Sequence, residues 1–341
     1  TGYTHLSMVE AIHAVMNSLA GVDASNTERK PMLTVPGTQV QSDETEEFAQ
    51  IGRQIKPDCP SLLAKLTSSL PDAEITYAYG YPIAGADESH FAEALQAAAG
   101  ADLVILTLGG KHGSGSVATM GEGVDATDIN LPRCQDAFIR AAANLHKPMI
   151  GIHFGGRPIS SDAADECLDA ILEAWNPSEM GAEALTRVLT GETAPSGRMP
   201  VTTARSAGQI PVYYNHPNGS SWHQGDSIGF QEYVDMPHRP RYYFGQGLSY
   251  TTFAYDGLRI DKEEVGPREK ITVSCQVTNT GSRAGTEVVQ LYLRDEQACM
   301  VRPVQELVGF ARVALEPGES RQVCFTFRPD RMAFLNREMR W

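Results

Sequence analysis

The stretch "LGGKHGSGSVATMGEGVDATDINLP" (108–132) gathers side chains able to do chemistry on a run of glycines. Glu122 stands between Gly121 and Gly123, Asp125 follows three residues on, and Lys111 and His112 precede them. A carboxylate that needed only solvation would gain nothing from two flanking glycines, whereas one carried by a moving backbone would. Four readings compete. Phosphate cradling is suggested by "GGKHGSGS", but Lys111 is followed by His112 where a P-loop needs Ser or Thr. A serine nucleophile needs G-x-S-x-G at a strand-to-helix elbow, which Ser114 and Ser116 do not supply. The third reading is an acid or base carboxylate delivered by a loop to a site built elsewhere. The fourth is that Glu122 and Asp125 are solvated loop charges.

The elements that must position this loop follow from periodicity. Up to residue 208, short apolar runs alternate with amphipathic stretches: strands over 73–80, 101–108, 148–156 and just before Trp175, and helices over 87–100, 131–147 and 178–192. The run Leu103 to Leu108 is nearly all apolar, as in a parallel strand covered on both faces, and Phe138, Ile139, Ala142 and Leu145 form the helical stripe that should face it. The expected fold is an α/β layered sandwich with a mostly parallel sheet. The glycine-rich loop then leaves the carboxyl end of a strand, where open parallel sheets present their ligand sites. Beyond residue 250 the period becomes two. Ile271, Val273, Cys275 and Val277 alternate with polar residues, and "TEVVQLYLRD", "ELVGFARVAL" and "SRQVCFTFRP" follow at the spacing of an all-β sandwich. Three regions result: an α/β domain over 1–208, a Gly-, Pro- and aromatic-rich bridging segment over 209–250, and a β-sandwich over 251–341. In the amino-terminal part, "HLSMVEAIHAVMNSL" reads as a helix and "ERKPMLTVPGTQVQSDETEEF" as an exposed loop.

Composition narrows the function classes. A chain of 341 residues with 42% hydrophobic content can bury two cores. A formal charge of −14 opposes binding to nucleic acid and to anionic membranes. No apolar run approaches the ~20 residues that span a bilayer, and no charged-then-apolar leader opens the chain at Thr1; the compartment is left open. The six cysteines lack metal-like spacing and read as core filler or free thiols. His146, His153 and His216 show no ligand spacing either, so neither a metal nor another cofactor is assigned.

The motifs "SGRMPVT" (196–202), "GQIPVYYNH" (208–216) and "YYFGQGLSYTTF" (242–253) resemble the carboxyl-terminal half of glycoside hydrolase family 3. "GGRPIS" (155–160), "AILEAWNPSEMG" (170–181) and "TNTGSRAGTEVVQLYLRD" (278–295) fall in the family's order, and the resemblance runs from about residue 60 onward. It implies that the β-sandwich is fibronectin-type-III-like. Its end, "DRMAFLNREMRW", resembles the approach to a further strand and reads as clipped. The resemblance also implies a retaining β-glycosidase in which an N-terminal (β/α)8 barrel, outside this chain, supplies the nucleophile and the α/β domain supplies the acid/base. Glu122 matches that acid/base position, and Asp125 is the runner-up for it, matching the aspartate of an Asp-Arg pair whose arginine is replaced here by Ala126.

The implied partners are a β-linked oligosaccharide or glycoside and the barrel, as a domain or a separate chain; homo-oligomerisation is left open. Lys111 and His112 either line the sugar site or are solvated, and Trp222 either stacks on a sugar ring or packs between domains. β-Glucosidase is the first reading and β-xylosidase the second, since the residues that select the sugar would belong to the barrel. A non-catalytic sugar-binding or association module is the reading from another class.

Overall fold

The computed structural model describes residues 33–34, 41–42, 59–110, 127–217 and 232–341. The chain divides into two units, Thr1–Leu189 with Arg205–Gly208, and Thr190–Ala204 with Gln209–Trp341.

The first unit is built on three parallel strands, β3 (Val104–Gly109), β4 (Met149–Phe154) and β5 (Ala170–Trp175), in spatial order β3-β4-β5. Helices cover both faces. Helices α1 (Leu62–Ser69) and α5 (Gly181–Leu189) place Leu62, Leu66 and Leu185 against Ile152 and Phe154 on one face. On the other, α2 (Phe91–Gly100), α3 (Arg133–Ala143) and α4 (Asp162–Cys167) bury Phe91, Phe138, Ile139 and Ala163 against Leu106, Leu108 and Met149. This is the expected α/β layering around a parallel sheet, and the alternation along β4 sends successive side chains into the two cores. Local signals set the helix starts: Ser61 and Ser161 cap α1 and α4 by accepting from the N–H of Ala64 (3.2 Å) and Ala164 (2.9 Å). Gly151 admits the close approach of α4's trailing Leu168, whose Cδ1 would lie 2.5 Å from any added Cβ.

Three local expectations are corrected. The stretch 73–80 forms no strand. The outward-facing backbone of β3, to which it would pair, is met instead by side chains: the Thr107 carbonyl accepts from Tyr81 Oη (3.1 Å), and Gly109 is held by Gln135. Leu103, read as part of the covered strand, precedes β3 and is 46% exposed. Within the segment read as an exposed loop, Leu33–Thr34 (β1) and Gln41–Ser42 (β2) pair antiparallel. The helix expected over "HLSMVEAIHAVMNSL" lies outside the described residues.

The second unit carries two antiparallel sheets, β10-β7-β6 and β8-β9, formed by β6 (Phe253–Ile260), β7 (Ile271–Asn279), β8 (Gly285–Leu293), β9 (Glu306–Leu315) and β10 (Ser320–Phe327). Their inward residues Val277, Val289, Val313, Leu315 and Val323 make one core, as expected of a β-sandwich read from period two. Asn279, fully buried at the end of β7, accepts from Thr251 Oγ1 (2.6 Å) and donates to the carbonyls of Arg283 (2.8 Å) and Leu315 (3.0 Å). The motif residues 196–203 run beside 241–246: Met199 N donates to the Gln246 carbonyl and Gly245 N to the Met199 carbonyl, both at 2.8 Å. Arg198 makes two bonds to the Glu287 carboxylate, at 2.8 and 2.9 Å, with both side chains mostly buried. Tyr214 stacks on Phe244 with ring centroids 4.2 Å apart.

Candidate active site

The site is approached through the carboxyl edge of the parallel sheet, because the glycine-rich segment leaves β3 there. The last residue of β3, Gly109, has φ 108°, and a Cβ at this position would collide with the Phe154 carbonyl oxygen, so only glycine fits. Gln135 on α3 brackets this residue: its Oε1 accepts from Gly109 N–H and its Nε2 donates to Gly109 C=O, both at 2.8 Å. Gly110 N–H in turn donates to the Phe154 carbonyl (3.0 Å).

The chain is described again from Thr127, and it is held just as closely. Asp128 Oδ1 accepts from the Asn130 backbone (2.9 Å) and from Asn130 Nδ2 (2.7 Å). Asn130 pairs with Ser160 in a parallel bridge, with Ser160 N donating to the Ile129 carbonyl and Leu131 N to the Ser160 carbonyl, both at 3.1 Å. The outgoing and returning stems are therefore both fastened to one stretch, 154–160, which contains the "GGRPIS" motif.

Charge is concentrated beside these stems. Arg157 donates weakly from one terminal nitrogen to the Asp128 carbonyl (3.4 Å), while its buried Nε has no partner among the described residues. Burial lowers its pKa from the ordinary arginine value, and the nearby Asp128 carboxylate partly opposes this. One turn back along β4, His153 is 2% exposed, with Nδ1 3.4 Å from Glu173 Oε2 of β5 and Nε2 unpartnered among the described residues. On α3, Asp136 accepts from Ser161 Oγ at 2.6 Å; burial raises its pKa more than this bond lowers it. β5 ends on Trp175, half-buried and with φ 52°, whose carbonyl receives Gly155 N–H (3.2 Å).

The residues with assigned chemistry, Glu122, Asp125, Lys111, His112 and Trp222, all lie outside the described residues. What the geometry supplies is the frame from which the first four depart. Sequence reasoning missed three parts of that frame: Gln135, Arg157 and the His153–Glu173 pair. A signal for Gln135 was present, since it occupies the same helical stripe as Phe138, Ile139 and Ala142 and is the polar residue in that apolar row. Among the described residues no three His, Cys, Asp or Glu side chains are grouped as metal ligands, and no helix is long and apolar enough to cross a membrane.

Residues 2–250 match the family profile described as the glycosyl hydrolase family 3 C-terminal domain, and residues 287–341 match the fibronectin type III-like domain. Over 251 residues the chain is 38% identical to a periplasmic beta-glucosidase of Salmonella typhimurium, covering 73% of this chain and 32% of that protein. It is 35% identical over 268 residues to a beta-xylosidase of Formosa agariphila, covering 78% of this chain and 36% of the relative. Among solved structures, a β-glucosidase of Erythrobacter marinus superimposes with TM-score 0.73 at 32% identity, over 82% of this chain and 40% of that one. A Listeria innocua beta-glucosidase in complex with isofagomine gives TM-score 0.73 at 30% identity, over 84% of this chain and 39% of that one. The chain spans about a third of the length of the curated relatives it matches.

Proposed function

Because the chain belongs to glycosyl hydrolase family 3, we propose that it forms the acid/base-bearing portion of a retaining β-glycosidase, β-glucosidase-like, with Glu122 as the proton donor. The observation that carries this reading is the double attachment at the carboxyl edge of the sheet: Gly110 and residues 129–131 are both fastened to 154–160, and Glu122 lies on the span between them. A carboxylate on such a span can reach outward to a sugar held by another part of the enzyme while its two ends stay fixed.

Retaining hydrolysis needs two carboxyl groups ~5–5.5 Å apart across the scissile bond. In the first step the nucleophile, on a (β/α)8 barrel outside this chain, bonds to the anomeric carbon as the glycosidic C–O bond breaks. Glu122 gives its proton to the departing oxygen. In the second step the ionised Glu122 takes a proton from water as the water oxygen attacks the anomeric carbon and the ester bond to the nucleophile breaks. Lys111, His112 and Asp125, on the same span, would contact the sugar. Trp222 would offer a stacking face in an outer subsite.

The similarity to the Formosa agariphila beta-xylosidase supports a second reading within the same chemistry, with a pentose in place of glucose. A non-catalytic sugar-binding or association module is the outcome the experiment separates from both.

Residues 1–341 alone are expected to show no turnover of aryl β-glycosides, and turnover is expected when the chain is combined with its barrel. In that complete enzyme Glu122→Ala should slow substrates with poor leaving groups by ~10²–10⁴, the usual worth of positioned proton transfer. Dinitrophenyl glycosides should lose far less in the first step, and azide should restore turnover by forming a β-glycosyl azide. Azide rescue of Asp125→Ala, with none for Glu122→Ala, would falsify the assignment. No turnover gained when the chain is added to the barrel would identify a sugar-binding or association module.

A further inference from the structure

The β unit is not built from one continuous stretch of chain. Residues 190–204 directly follow α5 of the α/β unit yet belong to the β unit, and Arg205–Gly208 belong to the α/β unit again before the chain enters the β unit a second time at Gln209. The β unit therefore contains a strip of chain whose two ends both run into the α/β unit.

That strip is held as a peptide is held by strand addition. Its main chain pairs antiparallel with 241–246: Met199 N–H donates to the Gln246 carbonyl, Gly245 N–H to the Met199 carbonyl, Thr203 N–H to the Tyr242 carbonyl and Arg241 N–H to the Thr203 carbonyl, all at 2.8 Å. In such pairing the main-chain bonds supply affinity and the side chains beside them supply selectivity. Here selectivity comes from arginines in both directions. Arg198 of the strip is taken by both oxygens of the mostly buried Glu287 carboxylate on β8. From the β unit, Arg312 of β9 donates to Ser196 Oγ (3.1 Å), and Arg283, shortly before β8, donates to the Gly191 carbonyl (2.7 Å). The strip ends on Thr203 and Ala204, both buried. The fit is also steric, since a Cβ on Gly247 would collide with the Gly197 carbonyl oxygen. Beyond the strip, Ala207 and Gly208 on the covalent connection are exposed and open to cleavage.

We propose that residues 190–204 are a clasp: the β unit carries a peptide-binding surface, formed by 241–247, Glu287, Arg283 and Arg312, whose occupant is this strip of its own chain, and the strip retains the β unit independently of the covalent connection through 205–208. Cleavage of that connection then leaves the protein whole. The inference does not depend on the role of Glu122.

The test uses the full chain with a site-specific protease sequence inserted between Ala207 and Gly208. After cleavage the two pieces, ending at Ala207 and starting at Gly208, should elute as one particle on size exclusion. Arg198→Met should weaken their association by about tenfold or more, because it leaves Glu287 buried without its partner. A second measurement guards against a variant that does not fold: a synthetic peptide of residues 190–204, added in excess to the cut parent protein, should displace the amino-terminal piece, and the same peptide with Arg198→Met should need about tenfold more. Separation of the parent pieces on cleavage would overturn the proposal. So would pieces that stay together but respond neither to Arg198→Met nor to the peptide, because their retention would then lie outside the strip.

Discussion

Both units bury polar side chains, but they bury them in different places and for different ends. Among the described residues of the α/β unit, the buried polar side chains Gln135, His153, Ser160 and Ser161 lie at or near the carboxyl edge of the sheet, around the points where chain leaves and returns, while Thr186 is buried on α5. In the β unit they sit at joints: Asn279 ties the end of β7 to the start of β8 and the end of β9, and Glu287 receives Arg198. A joint is satisfied within its own unit and closes the structure on itself. The polar edge of the sheet instead fastens the residues on either side of the interval 111–126.

The comparison can be broken most sharply at Gly109. Gly109→Ala sets a Cβ against the Phe154 carbonyl at a φ that side chains avoid, and should cost on the order of 4 kcal/mol. Urea denaturation would measure it, and a cost below about 1 kcal/mol would mean the edge is not held as described. Arg198→Met is expected next, at about 3 kcal/mol, because it leaves the Glu287 carboxylate buried without its partner. Its kcat in the complete enzyme should be unchanged at temperatures where the protein is folded. A fall in kcat with the leaving-group dependence expected of Glu122→Ala would erase the distinction between joint and edge.

The smallest effect belongs to Asp136, whose carboxyl burial holds above the ordinary range. A raised carboxyl pKa means that the folded state resists ionisation. Its contribution to stability is then full at low pH and is lost as pH rises from the unfolded value through the folded one. Asp136→Asn should therefore match the parent at acid pH and be slightly more stable at neutral pH, within about 0.5 kcal/mol since the group is only partly buried. A variant less stable at neutral pH than at acid pH, relative to the parent, would show that the Ser161 bond outweighs the burial.

Much of the fold was legible because its signals are periodic. The apolar run in β3, the Phe138–Ile139–Ala142 stripe and the period-two alternation in β7 each reappear as buried faces. Parts set by competition between backbone and side chains were not legible. The stretch 73–80 has strand-like composition, yet Tyr81 and Gln135 meet the edge it would have joined. The short helices α1 and α4 were passed over, although Ser61 and Ser161 mark their starts. At the candidate site, residue type and flanking glycines left Glu122 among competing readings and the motif resemblance gave it the acid/base role, but nothing local in the sequence says that residue 110 and residues 129–131 meet the same seven residues, 154–160. That is a tertiary fact, with partners 29 to 44 positions apart.

The shared fastening has a consequence for how such a protein can be altered. A segment whose two ends are clipped to one short stretch behaves as a cassette: its interior can be lengthened, shortened or exchanged without re-registering any strand. Closure entropy penalises this only slowly, at about 0.6 kcal/mol for each doubling of length. Grafting the interval 111–126 from a relative with another sugar preference should therefore preserve the sheet, provided that Gly109, Gly110 and residues 127–131 are kept as the sockets.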